Sequence, residues 1–486
     1  YFTMRSAQLV ALASCLLLVP PLNVWCNGAV VAAPVAGSFP DSDETCYNLL
    51  NLSPDEVSEV GNSDEVVYIK GLTSCSNSYC ASFTKDAAIL SSLLRFASNL
   101  TADRSTKVYQ LSINDAFTDS VPDATGILAT NSKLDDGSKH IFEFLNGPES
   151  FAFQGDFVYA ATNDGIYKVD LSSEKYQKLY DGSANCSSPS GCSRPLGIRV
   201  NGDTLLCADA KMGILRINTH TGDTEVLLRV GTEIEGEKIT FPDDLDVDWD
   251  RGLVYFSDAS TKWPFSYWLW SVIENDPSGR IIRYNLKSGE AEIFAKGIQF
   301  ANGVQLSQDG KSLLVSDFGR RRILQFAVGE ALPVTGIPFT KAPLPGNPDN
   351  IRPSRSGGYW VAFATARLNG SRTLGDELQA RPIAAKKLGD ALLSVGELLE
   401  MVGKYTADEN VSALGIKMST GGIILDTYPN VGAVVELDEQ GNVLQMLQSH
   451  QDRFLTEAHE TDDGLYLGSF INSFLLRVPG ASYRTP

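Results

Sequence analysis

Hydrophobic and polar residues alternate in short runs along most of this chain, and the runs come in pairs joined by tight turns. Residues 241–249 contain four aspartates, of which Asp244, Asp246 and Asp248 alternate with Leu245 and Val247, and this period of two predicts a strand with an acidic entrance. A turn leads into residues 253–260, a β-branched and aromatic run that predicts a second strand and contains Asp258 near its end. The stretch is therefore predicted to form a hairpin with carboxylates at its start.

The same order of apolar strand, turn and second strand recurs along the chain. The related units begin near Glu149, Arg194, Phe241, Phe300, Asn347 and Asp463. Third and fourth strands are indicated in the units, for example at 279–284 and 291–294. A repeat of roughly 40 to 60 residues is typical of propeller blades. We therefore predict an all-β protein, a six-bladed β-propeller over residues 139–486, with a β-sandwich of unrelated hairpins as the alternative.

Two regions depart from this repeat and predict an N-terminal extension and a helical insertion. Residues 39–138 are rich in Ser, Asn, Asp and Thr and contain one amphipathic pattern at 85–97, which predicts a helix in an extension that packs on the propeller or stays partly disordered. Residues 372–405 interrupt blade five and contain a second helical pattern at 388–401. This insertion is expected to cover the central pocket, to lie inert on the surface or to lie on a membrane.

The N-terminus carries a targeting pattern within residues 1–38. A basic Arg5 precedes the apolar run 9–19, and small residues follow two prolines. This order predicts a secretory signal peptide, with an uncleaved signal anchor as the alternative. We expect a secreted or endomembrane-lumenal protein, and membrane association through the N-terminus stays open.

A secreted protein folds in an oxidising compartment, so disulfides are expected among its cysteines. Beyond the predicted signal they are Cys46, Cys75, Cys80, Cys186, Cys192 and Cys207. Cys186 and Cys192 flank a short loop and are expected to form a disulfide in an oxidising compartment. One further pair is expected among the first three, and Cys207, in mid-strand, is expected to be a buried free thiol. Glycosylation sequons agree with this compartment and lie at Asn51, Asn99, Asn185, Asn369 and Asn410.

Composition excludes some partners. Of the 486 residues, 43% are hydrophobic and four are His, and the net charge is −19. Such a charge disfavours nucleic acids and anionic membrane surfaces, and it favours cations or metal ions. On charge count alone, a solvated acidic surface that keeps the protein soluble is the better explanation.

Several motifs taken together resemble the strictosidine synthase-like family. They include Arg-Pro-Leu-Gly at 194–197, Phe-Ala-Asn-Gly-Val at 300–304, and the segments 147–150, 254–263, 346–354, 457–460 and 464–470. The resemblance covers about residues 147–480. It implies a six-bladed propeller with a distant kinship to paraoxonases, gluconolactonases and senescence marker protein, which are calcium-dependent ester or lactone hydrolases.

A propeller brings the starts of its innermost strands to one mouth of the channel, and oxygen-bearing residues hold that position in four units. They are Glu149, Asp243, Asn302 and Asp349, with Asn350 beside the last. Such hard donors suit Ca²⁺, and three converging carboxylates call for a cation. The resemblance implies the same positions as metal ligands, although Asn is common where Asp243 stands. The alternative is that these residues only cap strand starts.

The expected activity is hydrolysis of small aryl esters or lactones, in which Asp349 or His459 takes a proton from water. On sequence grounds, a structural histidine that is hydrogen-bonded within blade six is the favoured interpretation of His459. The resemblance also implies a competing amine–aldehyde condensation of the Pictet-Spengler type, but Thr456 stands where that reaction needs a carboxylate and Glu457 lies one residue away. A non-catalytic binding propeller is the third interpretation.

Overall fold

The computed structural model describes residues 109–117, 119–183, 193–329, 331–367 and 369–484. Several predictions therefore lie outside the described residues. They are the signal within 1–38, the helix at 85–97, the Cys186–Cys192 disulfide, the pairing of Cys46, Cys75 and Cys80, and the sequons at Asn51, Asn99 and Asn185.

The described chain forms six four-stranded antiparallel sheets, which confirms the six-bladed propeller. The first strand, β1 (Lys139–Ile141), belongs to the last blade. Blade one consists of β2 (Ser150–Gln154), β3 (Phe157–Thr162), β4 (Gly165–Asp170) and β5 (Tyr176–Asp181). Blade two consists of β6 (Pro195–Asn201), β7 (Thr204–Asp209), β8 (Gly213–Asn218) and β9 (Thr224–Arg229).

A small hairpin precedes blade three, and one short helix lies within that blade. The hairpin is β10 (Glu233–Ile234) with β11 (Glu237–Lys238). Blade three consists of β12 (Pro242–Asp248), β13 (Leu253–Asp258), β14 (Gly279–Asn285) and β15 (Ala291–Ile298), with helix α1 (Trp268–Ile273) between β13 and β14. Blade four consists of β16 (Ala301–Leu306), β17 (Ser312–Asp317), β18 (Arg322–Ala327) and β19 (Ile337–Pro338). Short 3-10 turns lie at Gly126–Leu128, Phe265–Tyr267, Phe318–Arg320 and Gly480–Ser482.

Blade five contains the predicted insertion, which is longer than the sequence pattern indicated. Its strands are β20 (Gly346–Pro353), β21 (Tyr359–Ala366), β22 (Gly432–Leu437) and β23 (Val443–Ser449). Between β21 and β22 lie α2 (Leu374–Gln379), α3 (Pro382–Thr406), α4 (Glu409–Ser419) and α5 (Gly422–Leu425). The helical pattern at 388–401 marks only the middle of α3, because the shorter helices have too few turns to show a clear period.

Blade six closes the ring with strands from both ends of the described chain. Its own strands are β24 (Leu455–Thr461), β25 (Gly464–Ser469) and β26 (Leu475–Pro479). The outermost strand is β1, which pairs antiparallel with β26, so that His140 lies opposite Leu476. This pairing joins segments more than 300 residues apart and fastens the first blade to the last.

The cores between blades come from the apolar faces of neighbouring sheets. Leu206 and Ala208 of β7 share one buried cluster with Val254 and Phe256 of β13. Cys207, in the same strand, is a buried free thiol as predicted. Period-two alternation therefore buries both faces of most strands, one against each neighbouring blade.

The insertion packs as a helical hairpin whose two long helices touch through their backbones. A Cβ atom on Gly396 of α3 would lie 2.4 Å from the backbone N of Ser419, and one on Gly415 of α4 would lie 2.3 Å from the N of Glu400. Larger residues would therefore force the helices apart. Within the residues that the structure describes, no helix has the length and apolar character needed to cross a membrane.

The described part of the predicted extension lies against the propeller and the insertion. The ring of Tyr109 stacks on Trp263 at 4.9 Å, and Leu111 is buried in a cluster with Leu393 of α3. Farther along, the backbone N–H of Asn131 donates to Gln448 Oε1 of β23, and Asn131 Oδ1 accepts from the backbone N–H of Gln448.

Candidate functional site

Most innermost strands begin with a β-bulge at the positions predicted to carry ligands. The register shifts in β12 between Pro242 and Leu245, in β16 between Ala301 and Val304, and in β20 around residues 347–351. Strands β6 and β24 carry bulges at the same level. A bulge breaks the alternation of side chains, so that two consecutive residues can face the channel.

The aspartate that ends the second strand of several units holds the entry loop of the innermost strand. Asp258 of β13 accepts hydrogen bonds from the backbone N–H groups of Thr240 and Phe241, at 3.1 and 2.7 Å. Asp317 of β17 accepts from the N–H of Gln299 at 3.0 Å in the same way. The repeated aspartate recognised in the sequence therefore has a structural role: it fixes the loop that presents the candidate donor.

Glycines allow neighbouring innermost strands to meet at the donor level. A Cβ atom on Gly197 of β6 would lie 2.3 Å from Oδ1 of Asp244, and one on Gly303 of β16 would lie 2.3 Å from the carbonyl O of Asp349. Neither space can accept a side chain. The two glycines thus let adjacent blades bring their donors together.

The five predicted metal donors are all buried. Their exposed fractions are 6% for Glu149, 3% for Asp243, 3% for Asn302, 3% for Asp349 and 2% for Asn350. Among the described residues, no three His, Cys, Asp or Glu side chains form a ready-made metal-ligand cluster. The donor set is a mixed one, in which amide oxygens accompany the carboxylates.

Three oxygens of this set have no hydrogen-bond partner although they are buried. They are Asn302 Oδ1, Asp349 Oδ1 and Asn350 Oδ1. A buried acceptor without a partner is costly, and a cation is one kind of partner that can satisfy carboxylate and amide oxygens. Carboxylate and amide oxygens are the ligands that Ca²⁺ prefers, so the residues present fit an oxygen-bound cation.

Electrostatics connect the carboxylates of three blades. Burial raises the pKa of Asp349 well above its ordinary value, and the charges of Glu149 and Asp243 raise it further. The pKa of Asp243 is raised by burial and by Glu149. Burial raises the pKa of Glu149 to about 7, although Arg194 opposes the shift. Without a cation these groups therefore hold protons more tightly than free carboxyls do.

Arg194 is a cation at the edge of this donor set, and the sequence did not predict it as a site residue. Its Nη2 donates a hydrogen bond of 3.1 Å to Oε2 of Glu149, while its Nε, also buried, has no partner. The guanidinium carbon lies 5.6 Å from the centre of the Phe265 ring. Arg194 thus links the donor set to the aromatic residues above it.

A second layer of charges lies deeper in the channel. Arg352 of β20 donates to Asp244 of β12 and to Glu457 of β24, and its Nη2 also reaches Ser150 Oγ of β2. Arg199 of β6 donates to Asp246 Oδ1 at 3.0 Å. Strand β16 joins through the N–H groups of Val304 and Leu306, which donate to the two aspartates. This charge belt therefore touches all six blades.

His459 does not share the environment of the donors. Burial, with smaller contributions from Arg352 and Arg199, lowers the pKa of His459 to about 3, so the imidazole is neutral near pH 7. Its ring lies 5.0 Å from that of Phe153, and its Nδ1 has no hydrogen-bond partner. These surroundings favour the structural interpretation of this residue over that of a proton carrier.

Thr456 and Glu457 also have defined places. The hydroxyl of Thr456 donates a hydrogen bond of 2.7 Å to the carbonyl O of Glu149, at the donor level. Glu457 belongs to the charge belt, where Arg352 Nη2 lies 2.5 Å from its Oε2. The carboxylate next to Thr456 is therefore already paired.

Comparison with known proteins places the chain among strictosidine synthase relatives. The strictosidine synthase family model matches residues 243–331. The adipocyte plasma membrane-associated protein of Gallus gallus is 34% identical over 365 residues, which cover 74% of this chain and 81% of that protein. The protein strictosidine synthase-like 10 of Arabidopsis thaliana is 31% identical over 353 residues, covering 68% of this chain and 84% of that protein.

Two bacterial proteins are among the solved structures that match this chain in the comparison. A gluconolactonase from Xanthomonas campestris has a TM-score of 0.44 and 14% identity, covering 70% of this chain and 89% of that one. Regucalcin from Agrobacterium tumefaciens, described as a calcium-binding protein, has a TM-score of 0.39 and 12% identity, covering 68% of this chain and 82% of that one.

Proposed function

The chain belongs to the strictosidine synthase-like family that includes adipocyte plasma membrane-associated protein, and on this basis we propose that it is a metal-dependent hydrolase of aryl esters or lactones. The observation that carries the proposal is the set of three buried, unpartnered oxygens on Asn302, Asp349 and Asn350, beside two further carboxylates from other blades. Such a set is costly unless a cation completes it.

In this proposal Glu149, Asp243, Asn302, Asp349 and Asn350 hold a calcium ion. The chemistry that the ion supplies when bound is polarisation of an ester or lactone carbonyl and stabilisation of the developing oxyanion. Asp349, which is deprotonated when it holds the ion, is in this proposal also the group that takes the proton from the attacking water. Thr456 and Arg194 orient Glu149, one through its backbone carbonyl and the other through its carboxylate.

The amine–aldehyde condensation is not favoured by any contact at the site. That reaction needs a free carboxylate to move protons from the amine. Thr456 has none, and the carboxylate of Glu457 is bound to Arg352. Amine–aldehyde condensation and ligand binding without catalysis are therefore two alternatives that the assay below distinguishes from hydrolysis.

We further propose that the protein acts in the secretory pathway or outside the cell. The signal pattern within residues 1–38 and the name of the Gallus gallus relative, which places that protein at the plasma membrane, support this location. The expected partner is a small-molecule ester or lactone, and the acidic charge of the chain argues against nucleic acid.

One assay tests the proposal. Phenyl acetate and a panel of lactones are supplied to the purified protein with calcium or with a chelator, and tryptamine with secologanin is supplied separately. Chelator-sensitive hydrolysis that is lost in Asp349→Asn and kept in Asp309→Asn, an exposed aspartate on a turn, would support the proposal. Turnover that is unaffected by Asp349→Asn would place the chemistry elsewhere. A new amine-linked product would identify a condensing enzyme, and no turnover of any substrate would favour a binding protein.

A further inference from the structure

A cluster of aromatic rings, which we call the roof, adjoins the donor set through Arg194, since Arg194 contacts both Glu149 and the ring of Phe265. Phe241 and Phe300 precede Asp243 and Asn302 by two residues, and their ring centres are 5.5 Å apart. The ring of Phe318 lies 4.7 Å from that of Phe300. These three aromatic residues are 2–3% exposed and share one buried cluster. The floor of the mouth is therefore polar and its roof is aromatic.

The outer part of the roof comes from the segment between β13 and β14. Trp268 at the start of α1 lies 6.0 Å from Phe300, 5.9 Å from Phe318 and 6.4 Å from Phe470, measured between ring centres. Phe265 of the same segment lies 5.6 Å from Phe241. Both side chains are partly exposed, unlike the rings beneath them. They form the boundary between the donor set and solvent.

Hydrogen bonds that do not involve Trp268 anchor this segment on two sides, and on one of them Gln299 Nε2, next to Phe300, donates to the carbonyl O of Val272 and to Asn275 Oδ1. The indole Nε1 of Trp270 donates a hydrogen bond of 2.7 Å to the carbonyl O of Ser419 in α4, and Asn275 Nδ2 donates one of 3.0 Å to the carbonyl O of Gln379 in α2. The ring of Trp268 packs both against the cluster of Phe241, Phe300 and Phe318 and against the apolar cluster that α1 forms with the insertion. Trp268 can therefore change its rotamer while the hydrogen bonds that fix α1 to the insertion stay in place.

We propose that Trp268 is a gating and specificity-determining residue, whose ring occupies the place of the substrate's apolar group and turns outward when substrate enters. This inference rests on the proposed hydrolase function for its substrate class. With the donors 2–6% exposed, a substrate carbonyl reaches them only after a roof group moves. The group nearest solvent that covers the rings of Phe300 and Phe318 is Trp268.

The exchange of the Trp268 ring for an apolar group of the substrate selects substrates by their polarity. When Trp268 turns outward, it uncovers aromatic faces, and a flat apolar group of the ligand restores those contacts. A polyhydroxylated lactone would place its hydroxyl groups against Phe300, Phe318 and Phe470, none of which can accept or donate a conventional hydrogen bond. The site therefore accepts aromatic or aliphatic esters and lactones and rejects sugar lactones.

The test compares Trp268→Ala with Trp268→Phe and with Tyr176→Ala, an aromatic truncation on the outer strand of blade one, where Tyr176 is 55% exposed. When Trp268 is closed, only a fraction of the protein can bind substrate, and the apparent Kd is the intrinsic Kd divided by that fraction. Removing the Trp268 side chain should therefore lower the apparent Kd. We expect Trp268→Ala to lower KM for 2-naphthyl acetate by about fivefold or more with kcat within about twofold. Trp268→Phe is expected to be intermediate, and Tyr176→Ala is expected to match the wild type. Glucono-δ-lactone should be a poor substrate of the wild type.

A binding measurement separates this inference from the proposed activity. Calorimetry with 2-naphthol, which cannot be hydrolysed, should show tighter binding to Trp268→Ala than to the wild type. If no ester or lactone is hydrolysed but this difference is present, the hydrolase proposal fails and the gate stands. Unchanged or weaker naphthol binding in Trp268→Ala would overturn the gate, as would hydrolysis of glucono-δ-lactone by the wild type at the rate of an aryl ester.

Discussion

Arg352 of blade five donates a 2.5 Å hydrogen bond from Nη2 to Oε2 of Glu457 in blade six, inside the channel. The Nη1 of the same guanidinium donates to Oδ2 of Asp244 in blade three at 3.1 Å. Both carboxylates are 0% exposed. The Arg352 side chain thus compensates two buried negative charges from different blades. Loss of this side chain would therefore affect the stability of the propeller.

Replacing Arg352 is expected to destabilise the propeller strongly. Arg352→Met leaves Asp244 and Glu457 buried with less compensation, and breaking a buried ion pair in this way costs about 3–5 kcal/mol. Urea unfolding measures the change. The matched control is Arg251→Met, which removes an exposed pairing with Asp248 and should cost no more than about 1 kcal/mol. A cost for Arg352→Met as small as that of the control would show that the charge belt does not hold the blades together.

Calcium is expected to raise the melting temperature through the donor set. A ligand that binds the folded state stabilises it by mass action, so the shift should grow with calcium concentration. The double variant Asp243→Ala with Asp349→Ala should abolish the shift, because it removes two of the three carboxylates. The control Asp309→Ala, on an exposed turn, should keep it. No calcium shift in the wild type, or an equal shift in the double variant, would mean that this site does not bind calcium.

The stability of the metal-free protein should fall as the pH rises toward neutrality. Burial raises the pKa of Glu149 from the ordinary 4.5 to about 7, so the folded state holds this proton more tightly than the unfolded state does. Its stabilisation is complete below 4.5 and is lost as the pH rises through 7. Asp243 and Asp349 shift in the same direction because of burial.

Calcium should reverse that trend, because it binds the deprotonated carboxylates. Melting temperatures between pH 5 and 8 should therefore show a calcium-induced gain that increases with pH. Glu149→Gln should flatten the dependence near pH 7 in the metal-free protein. A calcium gain of constant size across this range would contradict the assigned titrations.

His459 is expected to contribute little to turnover. With its pKa lowered to about 3 by burial, the imidazole stays neutral over the pH range of the assay and is a poor proton acceptor. Because a general acid or base typically contributes about 10²–10⁴-fold, a change within about threefold in kcat/KM for His459→Gln would exclude that role. A loss of 10²-fold or more in a variant of unchanged stability would restore His459 as a proton carrier.

The cysteines are expected to differ sharply in chemical state. Cys207 is a buried free thiol whose pKa is raised by burial, so it should resist alkylation until the protein unfolds. Peptide mapping of the non-reduced, mature protein should find Cys186 cross-linked to Cys192 and an N-terminus beyond about residue 26. Two free thiols at these positions would remove the support for an oxidising compartment.

Local patterns were sufficient to predict the repeating unit. The hairpin expected from 241–249 and 253–260 forms as Pro242–Asp248 and Leu253–Asp258, because strand alternation and turn residues act between near neighbours. The blade repeat predicted that Glu149, Asp243, Asn302 and Asp349 would share one level. The structure buries all four, and the charges of Glu149 and Asp243 act on Asp349. The family resemblance read from the motifs is confirmed by the similar proteins.

Other features depend on distances that no local pattern records. The pairing of Lys139–Ile141 with β26 and the salt bridge of Arg352 with Glu457 join segments that lie far apart along the chain. The roof formed by Trp268 requires a short helix from blade three to meet rings from blades four and six. By itself the sequence determined the strands, their turns and the residue types at each blade entrance. Only closure of the ring decided which charges pair and which side chains cover the mouth, because these contacts form between blades rather than within them.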